Sequence, residues 1–375
     1  MKKARFVQIA MHYLKKFVTV NITSVMLIGL LFCFQVVHSQ TDDLETGPDS
    51  SAISKKSKKY KPHISGFVQV HFLEPFNTNG DSIVEPDRFR VLRARISVDG
   101  KINKYVSYVV EIDPRSPQIT GLLRDAYISL KIIPDQTIRV GQQKTQFGYE
   151  NRESSSRLYF VNRTEMSDNL SRGTNLRDIG IGLIGKININ EKYRLEDAFN
   201  VVNGAGMNVA GIEDFNRKKN LWGRVGIRYK TEDLMWRFGI SGGIGDQKDL
   251  GDDIADPSDD FIINFKRYGL DAEVDHKWFF MASEYAAGTD IISDTISNPF
   301  GYYILLAGKT KWKAGPLVRY DELEDEWKRW TVGAYYGLPN DRFRVLLNYE
   351  FRGYHPEDIP YGEDDRMYIQ LQVRF

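Results

Sequence analysis

The stretch RFRVLLNYEFR, residues 342–352, decides the fold, because apolar and polar side chains alternate along it. In an extended strand, one face would carry Phe343, Val345, Leu347, Tyr349 and Phe351, and the other Arg342, Arg344, Asn348, Glu350 and Arg352. A period of two residues maintained over this length predicts a β-strand of about ten residues, longer than the five or six that are usual in soluble sheets. Such a strand has one apolar and one charged face.

The same alternation recurs along most of the chain after residue 62. Near the end, Ile369, Leu371, Val373 and Phe375 share a face. Upstream, Leu92, Ala94, Ile96 and Val98 are predicted to lie on the apolar face opposite Arg93 and Arg95. Candidate strands lie near 63–74, 87–99, 104–113, 121–131, 136–144, 177–187, 195–203, 220–230, 234–242, 261–275, 277–287, 301–313, 315–321, 328–337, 341–352 and 366–375. The pattern therefore predicts an all-β chain with about 16 strands.

Alternation alone fits both a soluble sandwich and a membrane barrel. Strands of about ten residues match a tilted membrane crossing, and short connections alternate with long ones, as in outer-membrane barrels. The apolar faces also begin or end in aromatic residues: Tyr229, Trp236, Tyr268, Trp312, Trp330, Tyr336, Tyr349 and Phe351. We therefore predict a transmembrane antiparallel β-barrel over residues 63–375, with both termini in the periplasm.

The first 62 residues differ in composition from the rest. Residues 1–39 contain five cations, no acid and an apolar run over 22–37, which is the layout of a secretory signal peptide. Residues 40–62 are polar and charged, and we expect a flexible periplasmic leader. Export would then place the barrel in the bacterial outer membrane.

Composition excludes several classes of function. Without residues 1–39 the chain carries 46 Lys and Arg against 50 Asp and Glu, a balance that argues against nucleic-acid binding. The single cysteine, Cys33, lies in the predicted signal peptide, so disulfides and thiolate metal sites are not expected. The dinucleotide-like glycines 180, 182 and 185 fall inside a predicted strand, and neither they nor the G-x-S-x-G at 239–243 are followed by the helix that each motif requires. No cofactor, metal or catalytic residue is predicted.

The predicted strand phases place many cations on the face that would line the barrel. A 16-stranded barrel is wide enough for an aqueous channel, and a wall of Arg and Lys favours anions. The longest connection, residues 145–176, is the third external loop and mixes aromatic with basic residues; we expect it to fold inward as a constriction. The predicted pore-lining, anion-binding residues are Arg93, Arg95, Arg139, Lys144, Arg152, Arg157, Arg224, Arg228, Arg267, Lys309, Lys311, Arg342 and Arg344.

Three segments in the first half of the chain resemble a known family. They read LRDAYI at 123–128, RVGQQKTQFGYE at 139–150 and RDIG at 177–180, and RAR at 93–95 also fits. Over residues 64–187 the chain resembles the phosphate-selective porin O/P family of outer-membrane proteins, although that family usually has Phe and Pro where Gln143 and Gln146 stand. The resemblance implies a 16-stranded porin, commonly a homotrimer.

The sequence thus predicts a porin for passive diffusion of small anions, with phosphate among the candidates. A general diffusion or sugar porin remains an alternative, because Tyr302, Tyr303, Tyr335 and Tyr336 could form an aromatic track. A barrel enzyme with a serine–histidine pair and a plugged structural barrel are further alternatives. The expected partners are small anions, outer-membrane lipid and lipopolysaccharide, and the barrel assembly machinery, which would read the last strand ending in Phe375.

Overall fold

The computed structural model describes residues 61–76, 86–115, 122–170, 177–207, 218–249, 261–293, 295–324, 327–354 and 365–375. The predicted signal peptide and nearly all of the predicted leader lie outside these ranges. The described chain contains one short helix, α1 (Glu165–Leu170). None of its helical structure is long and apolar enough to cross a bilayer.

The described residues form one antiparallel sheet of 17 strands. The strands of the first half are β1 (His63–Phe76), β2 (Arg88–Lys101), β3 (Val106–Ile112), β4 (Leu123–Leu130), β5 (Gln136–Lys144), β6 (Arg177–Asn188), β7 (Tyr193–Val202) and β8 (Asn220–Lys230). The second half comprises β9 (Leu234–Asp249), β10 (Phe261–His276), β11 (Phe279–Ile292), β12 (Thr295–Ser297), β13 (Phe300–Gly308), β14 (Ala314–Leu323), β15 (Trp327–Tyr336), β16 (Phe343–Tyr354) and β17 (Asp365–Arg374).

Sixteen of these strands close into a barrel, and β12 is a three-residue addition beside β11. Closure occurs at β1, which pairs with β17 at Phe67 and Arg374 and with β2 at Phe67 and Arg95. Closing the sheet leaves no edge with unpaired backbone groups, as a structure within hydrocarbon requires. The predicted 16-stranded β-barrel is confirmed.

The alternating pattern places apolar side chains outside and charged ones inside. On β15 and β16, Trp330 lies opposite Phe351 and both are exposed, whereas the neighbouring Arg329 and Glu350 are buried. Partly or fully exposed aromatic residues lie near both ends of the barrel: Tyr229 stacks on Trp236 at one end, and Tyr320 packs against Trp330 at the other. Their positions match the aromatic girdles of membrane barrels.

Two details differ from the predicted strand pattern. Pairing of β1 with β2 shifts register beside Val70, and Leu92 packs against the buried inner cluster, so its predicted outward orientation is wrong. A β-bulge inserts one residue and reverses the alternation locally. The strand predicted over 301–313 ends at Gly308 because the chain turns after it. In this turn the Lys313 amide donates to the Thr310 carbonyl at 3.1 Å, and Lys313 has a left-handed φ of +60°.

The connections alternate in length, as predicted. Long connections, such as 145–176 and 203–219, lie at one end, called here the long-loop end. Short turns, such as 131–135 and 231–233, lie at the other end together with the start of β1 and the end of β17. In outer-membrane barrels the short turns face the periplasm.

Candidate functional site

The described chain that follows β5, residues 145–170, lies inside the barrel. In residues 145–170, called here the inward segment, Phe147 and Met166 are completely buried. Phe147 meets the lumen-facing Trp222 edge-on, with ring centroids 5.7 Å apart, and Tyr159 stacks on Phe280 at 5.0 Å. The aromatic residues of this segment are therefore buried against the inner wall.

Polar contacts fix the inward segment to β14–β17. The Val161 amide donates to Asn348 Oδ1 at 2.8 Å, and Gln372 Nε2 donates to the Ser156 carbonyl at 3.0 Å. Three arginines of the wall, each with 0–1% of its surface exposed, donate to segment carbonyls: Arg319 to Asn162 and Arg329 to Arg163, both at 2.8 Å, and Arg344 to Ser156 at 2.9 Å. These strands therefore hold the segment against one side of the lumen.

The start of the segment depends on a glycine. Gly148 has a φ of +60°, a left-handed conformation that favours glycine, and its amide donates to Ser241 Oγ at 3.0 Å. A Cβ at this position would clash with the Glu284 carboxylate. The next turn is fixed by Glu150, whose amide donates to Glu284 Oε2 at 3.1 Å and whose carboxylate accepts from the Thr164 amide at 2.9 Å.

Open space remains between the segment and the opposite wall, formed by β2–β9. A cavity of about 340 Å³, called here the central cavity, contains seven cationic and three acidic side chains. It is lined by Asp125, Tyr127, Arg139, Lys144, Gln146, Tyr149, Arg152, Glu153, Arg157, Ile184, Lys186, Glu196, Arg224 and Arg237. Cations therefore outnumber acids where the lumen is narrowed by the segment.

Two further cavities lie on either side of the central cavity, toward the two ends of the barrel. The outer cavity, of about 190 Å³, lies near the long-loop end and has seven arginines and one acid, Asp168, in its lining. The inner cavity, of about 660 Å³, lies near the short-turn end and shares Tyr127, Arg139, Ile184 and Lys186 with the central cavity. The three cavities follow the same side of the barrel wall.

Many of the buried arginines are neutralised by carboxylates. Arg224 forms a two-pronged pair with Asp271, with Nε to Oδ1 at 2.7 Å. Arg177 is paired in the same way with Asp125, at 3.1 and 2.8 Å. Such planar pairs fix geometry and cancel charge at the same time. These arginines therefore contribute little net potential to the lumen.

Other cations of the cavities have no acidic partner. Within the described ranges, no carboxylate lies within 4.0 Å of the basic groups of Arg139, Arg152 or Arg157. The Arg139 guanidinium lies over the Tyr127 ring at 4.7 Å. Burial lowers the pKa of Arg152 to about 10, with nearby Arg224 acting in the same direction, so Arg152 remains charged at neutral pH. These groups expose uncompensated positive charge.

The structure separates the predicted pore residues into several groups. Arg139, Lys144, Arg152, Arg157 and Arg224 line the central cavity, and Arg93 and Arg95 line the outer one. The Lys144 ammonium, however, is held by segment carbonyls, at 2.9 Å from that of Asn151, and Arg95 pairs with Glu111 at 3.4 Å.

The remaining predicted residues lie away from these cavities. Arg267 pairs with Asp290 at 2.6 Å, Lys309 pairs with Asp275, and Arg344 anchors the inward segment. Lys311 and Arg342 lie exposed in short turns, and Arg228 lies near the short-turn end of β8. The prediction also missed cations that line the cavities, notably Lys186 in the central and inner cavities and Arg124 and Arg177 in the outer one. The last two stand in the quoted motif segments, which could have identified them.

The described residues form neither the aromatic track of a sugar porin nor a serine–histidine pair. Tyr303 and Tyr335 are buried inside the barrel, whereas Tyr302 and Tyr336 are exposed outside, so the four tyrosines form no common track. Ser241 Oγ accepts from the Gly148 amide, and no histidine of the described ranges contacts it. The described residues also contain no cluster of His, Cys, Asp or Glu that could hold a metal ion.

Comparisons with known proteins agree with this architecture. The trimer form of OmpT, an outer membrane protein of Vibrio cholerae, superposes with a TM-score of 0.59 at 11% identity, over 84% of this chain and 99% of that chain. An anion-selective porin from Comamonas acidovorans gives 0.56 at 12% identity, over 84% and 99%. The outer membrane channel DcaP of Acinetobacter baumannii gives 0.54 at 13% identity, over 85% and 98%. At these identities the likeness establishes the fold.

At the level of sequence, no curated protein matches the chain. The family model for phosphate-selective porin O and P matches residues 73–191, which run from the end of β1 through β6 and include the inward segment. The resemblance to the phosphate-selective porin O and P family is thus confirmed over residues 73–191, on a barrel with the fold of outer-membrane porins.

Proposed function

We propose that this protein is an outer-membrane porin that passes small anions by passive diffusion along the β2–β9 side of its lumen. The observation that carries the proposal is the central cavity, where Arg139, Arg152 and Arg157 have no carboxylate of the described residues within 4.0 Å. Uncompensated positive charge in a narrow, low-dielectric passage attracts anions and repels cations. No covalent step and no cofactor is involved.

Phosphate belongs to the class of anions that the passage would accept. Guanidinium groups match the oxygen geometry of phosphate and carboxylate with forked hydrogen bonds. An anion entering from the long-loop end would meet the arginines of the outer cavity before those of the central cavity. We expect phosphate to pass more slowly than chloride and to reduce the chloride current while it occupies the passage. A homotrimer in the outer membrane is the assembly that we propose for this channel.

The test is single-channel recording of protein purified from outer membranes, in planar bilayers with a KCl gradient. We expect the wild type to give an anion-selective reversal potential. In Arg139→Gln and Arg152→Gln the reversal potential should shift toward the value of a cation-selective pore. The matched control is Lys311→Gln, because Lys311 is exposed in a turn, beside Trp312, and lies outside the three cavities. A cation-selective wild type, or an equal shift in all three variants, would refute the proposal.

A further inference from the structure

The outer surface of the barrel contains an apolar groove across β7–β10. The groove has a volume of about 530 Å³, and its walls include Phe199, Leu221, Ile240 and Ile244. Each of these four side chains is about half exposed, at 45–54%. They lie on the outward face of their strands, which is the face that meets lipid in a membrane barrel. The groove is therefore a depression in the lipid-facing surface.

The groove exists because two glycines lie side by side in the sheet. Gly223 pairs with Gly242, so neither strand contributes a side chain there; the Phe199 ring of β7 lies over Gly223, and the open floor is at Gly242. A Cβ at Gly242 would meet no atom nearer than the Arg267 carbonyl oxygen, at 3.7 Å, and the φ of Gly242 lies outside the left-handed region. Neither space nor backbone conformation therefore requires glycine at 242, and the open floor is not a requirement of the fold.

A lysine stands at the edge of the groove nearest the long-loop end. Lys266 pairs with Ile244 and is exposed, and among the described residues no carboxylate lies within 4.0 Å of its ammonium. It lies two residues beyond Tyr268, an exposed aromatic residue on the same face. A lysine on the lipid-facing surface extends along its apolar stem toward the headgroups, so the Lys266 ammonium lies at headgroup level. By contrast Lys328 at the same end has a carboxylate, Glu322, at 4.0 Å.

We propose that this groove binds one lipid with a phosphate headgroup: an acyl chain lies on the Gly242 floor, and the phosphate pairs with Lys266. Charge complementarity identifies the partner, because an unpaired cation at headgroup level fits an anionic phosphate. The narrow, flat floor between branched side chains fits a flexible hydrocarbon chain, and close packing is what holds apolar groups together in a membrane. The site is outside the lumen and is independent of anion conduction.

Native mass spectrometry of the detergent-purified protein tests the site. Dioleoyl phosphatidic acid and dioleoyl phosphatidylcholine are titrated separately, and the concentration for half-occupancy by one lipid is measured. We expect the wild type to reach half-occupancy with phosphatidic acid at a concentration at least fivefold lower than with phosphatidylcholine. Lys266→Gln should abolish this preference, and Gly242→Leu, which fills the floor, should weaken binding of both lipids at least fivefold.

Matched controls lie on the other side of the barrel. Gly353→Leu adds the same side chain at a glycine whose Cβ would also be free, with the Lys328 carbonyl oxygen at 3.6 Å, and Lys328→Gln removes a paired cation. Both controls should bind lipid like the wild type. Unchanged binding in Gly242→Leu, or an equal loss in Gly353→Leu, would overturn the proposal. Loss of an oligomer rather than of a lipid in Gly242→Leu would assign the groove to a second copy of the chain and also overturn it.

Discussion

Replacing Arg329 with methionine should loosen the inward segment and destabilise the barrel. The Arg329 guanidinium donates to both carboxylate oxygens of Asp321, at 3.0 and 2.9 Å, and to the Arg163 carbonyl at 2.8 Å. Removing one partner of a buried ion pair costs about 3–5 kcal/mol, because the other charge stays buried. Arg319 Nε remains 3.1 Å from Asp321, so we expect the lower end of this range, about 3 kcal/mol.

Two measurements on the same variant check this expectation. Unfolding by urea in lipid vesicles gives the free energy of unfolding, and single-channel recording gives the conductance, which should rise as the segment leaves the wall. Arg267→Met is the control, since Arg267 pairs with Asp290 at 2.6 Å and donates to no residue of the segment. That variant should lose stability without a change in conductance. If Arg329→Met unfolds within about 1 kcal/mol of the wild type and conducts equally, the anchoring role is refuted.

Three further predictions concern other parts of the chain. Burial raises the pKa of Asp168 to about 6, so this carboxylate, which lines the outer cavity, is mostly ionised at pH 7 and mostly protonated at pH 5. Reversal potentials should therefore show a stronger anion preference at pH 5 than at pH 7 in the wild type, and a smaller change in Asp168→Asn. Gly148→Ala should destabilise the barrel by about 1–3 kcal/mol in urea unfolding, because alanine is strained at a φ of +60° and clashes with Glu284; Gly353→Ala, at an open glycine, should not. Phe375→Ala keeps the backbone hydrogen bonds to Gly66, at 3.0 and 3.1 Å, so the purified variant should refold in detergent like the wild type. In cells, less of the folded variant should reach the outer membrane; equal yields of wild type and variant would contradict an assembly signal in this residue.

The strands could be predicted from sequence because the membrane and the lumen impose opposite demands on alternate residues. Leu371 and Val373 face lipid, and Gln370 and Gln372 face the interior. Their polarity alone predicts this orientation, without knowledge of the strand with which they pair. The prediction failed where strand pairing, rather than the apolar pattern, decides which face of the sheet a side chain occupies. The bulge beside Val70 turns Leu92 inward, and nothing in the apolar pattern of residues 92–98 signals it.

The site was harder to predict because the role of a cation depends on its cross-strand neighbours. Arg224 and Arg139 both occupy lumen-facing positions of their strands. Arg224, however, pairs with Asp271, which is 47 positions away in sequence, whereas Arg139 lies over a tyrosine ring. Arg344 was predicted as a pore residue and instead binds the Ser156 carbonyl, 188 positions away. Register across several strands decides these partners, and no local motif encodes it.

The positive charges of the lumen serve two separate purposes, on opposite sides. On β14–β16, Arg319, Arg329 and Arg344 are buried and each donates to a carbonyl of the inward segment. Asp321 and Glu350 cancel much of the charge of Arg319 and Arg329. Facing the β2–β9 side, Arg139 of β5 and Arg152 of the inward segment line the central cavity, and no acid of the described residues lies within 4.0 Å of either. Because the field in the passage depends on uncompensated charge, the second group would set ion selectivity and the first group the width of the passage. The two properties should therefore respond to different substitutions, with Arg329→Met changing conductance more than reversal potential and Arg139→Gln doing the opposite.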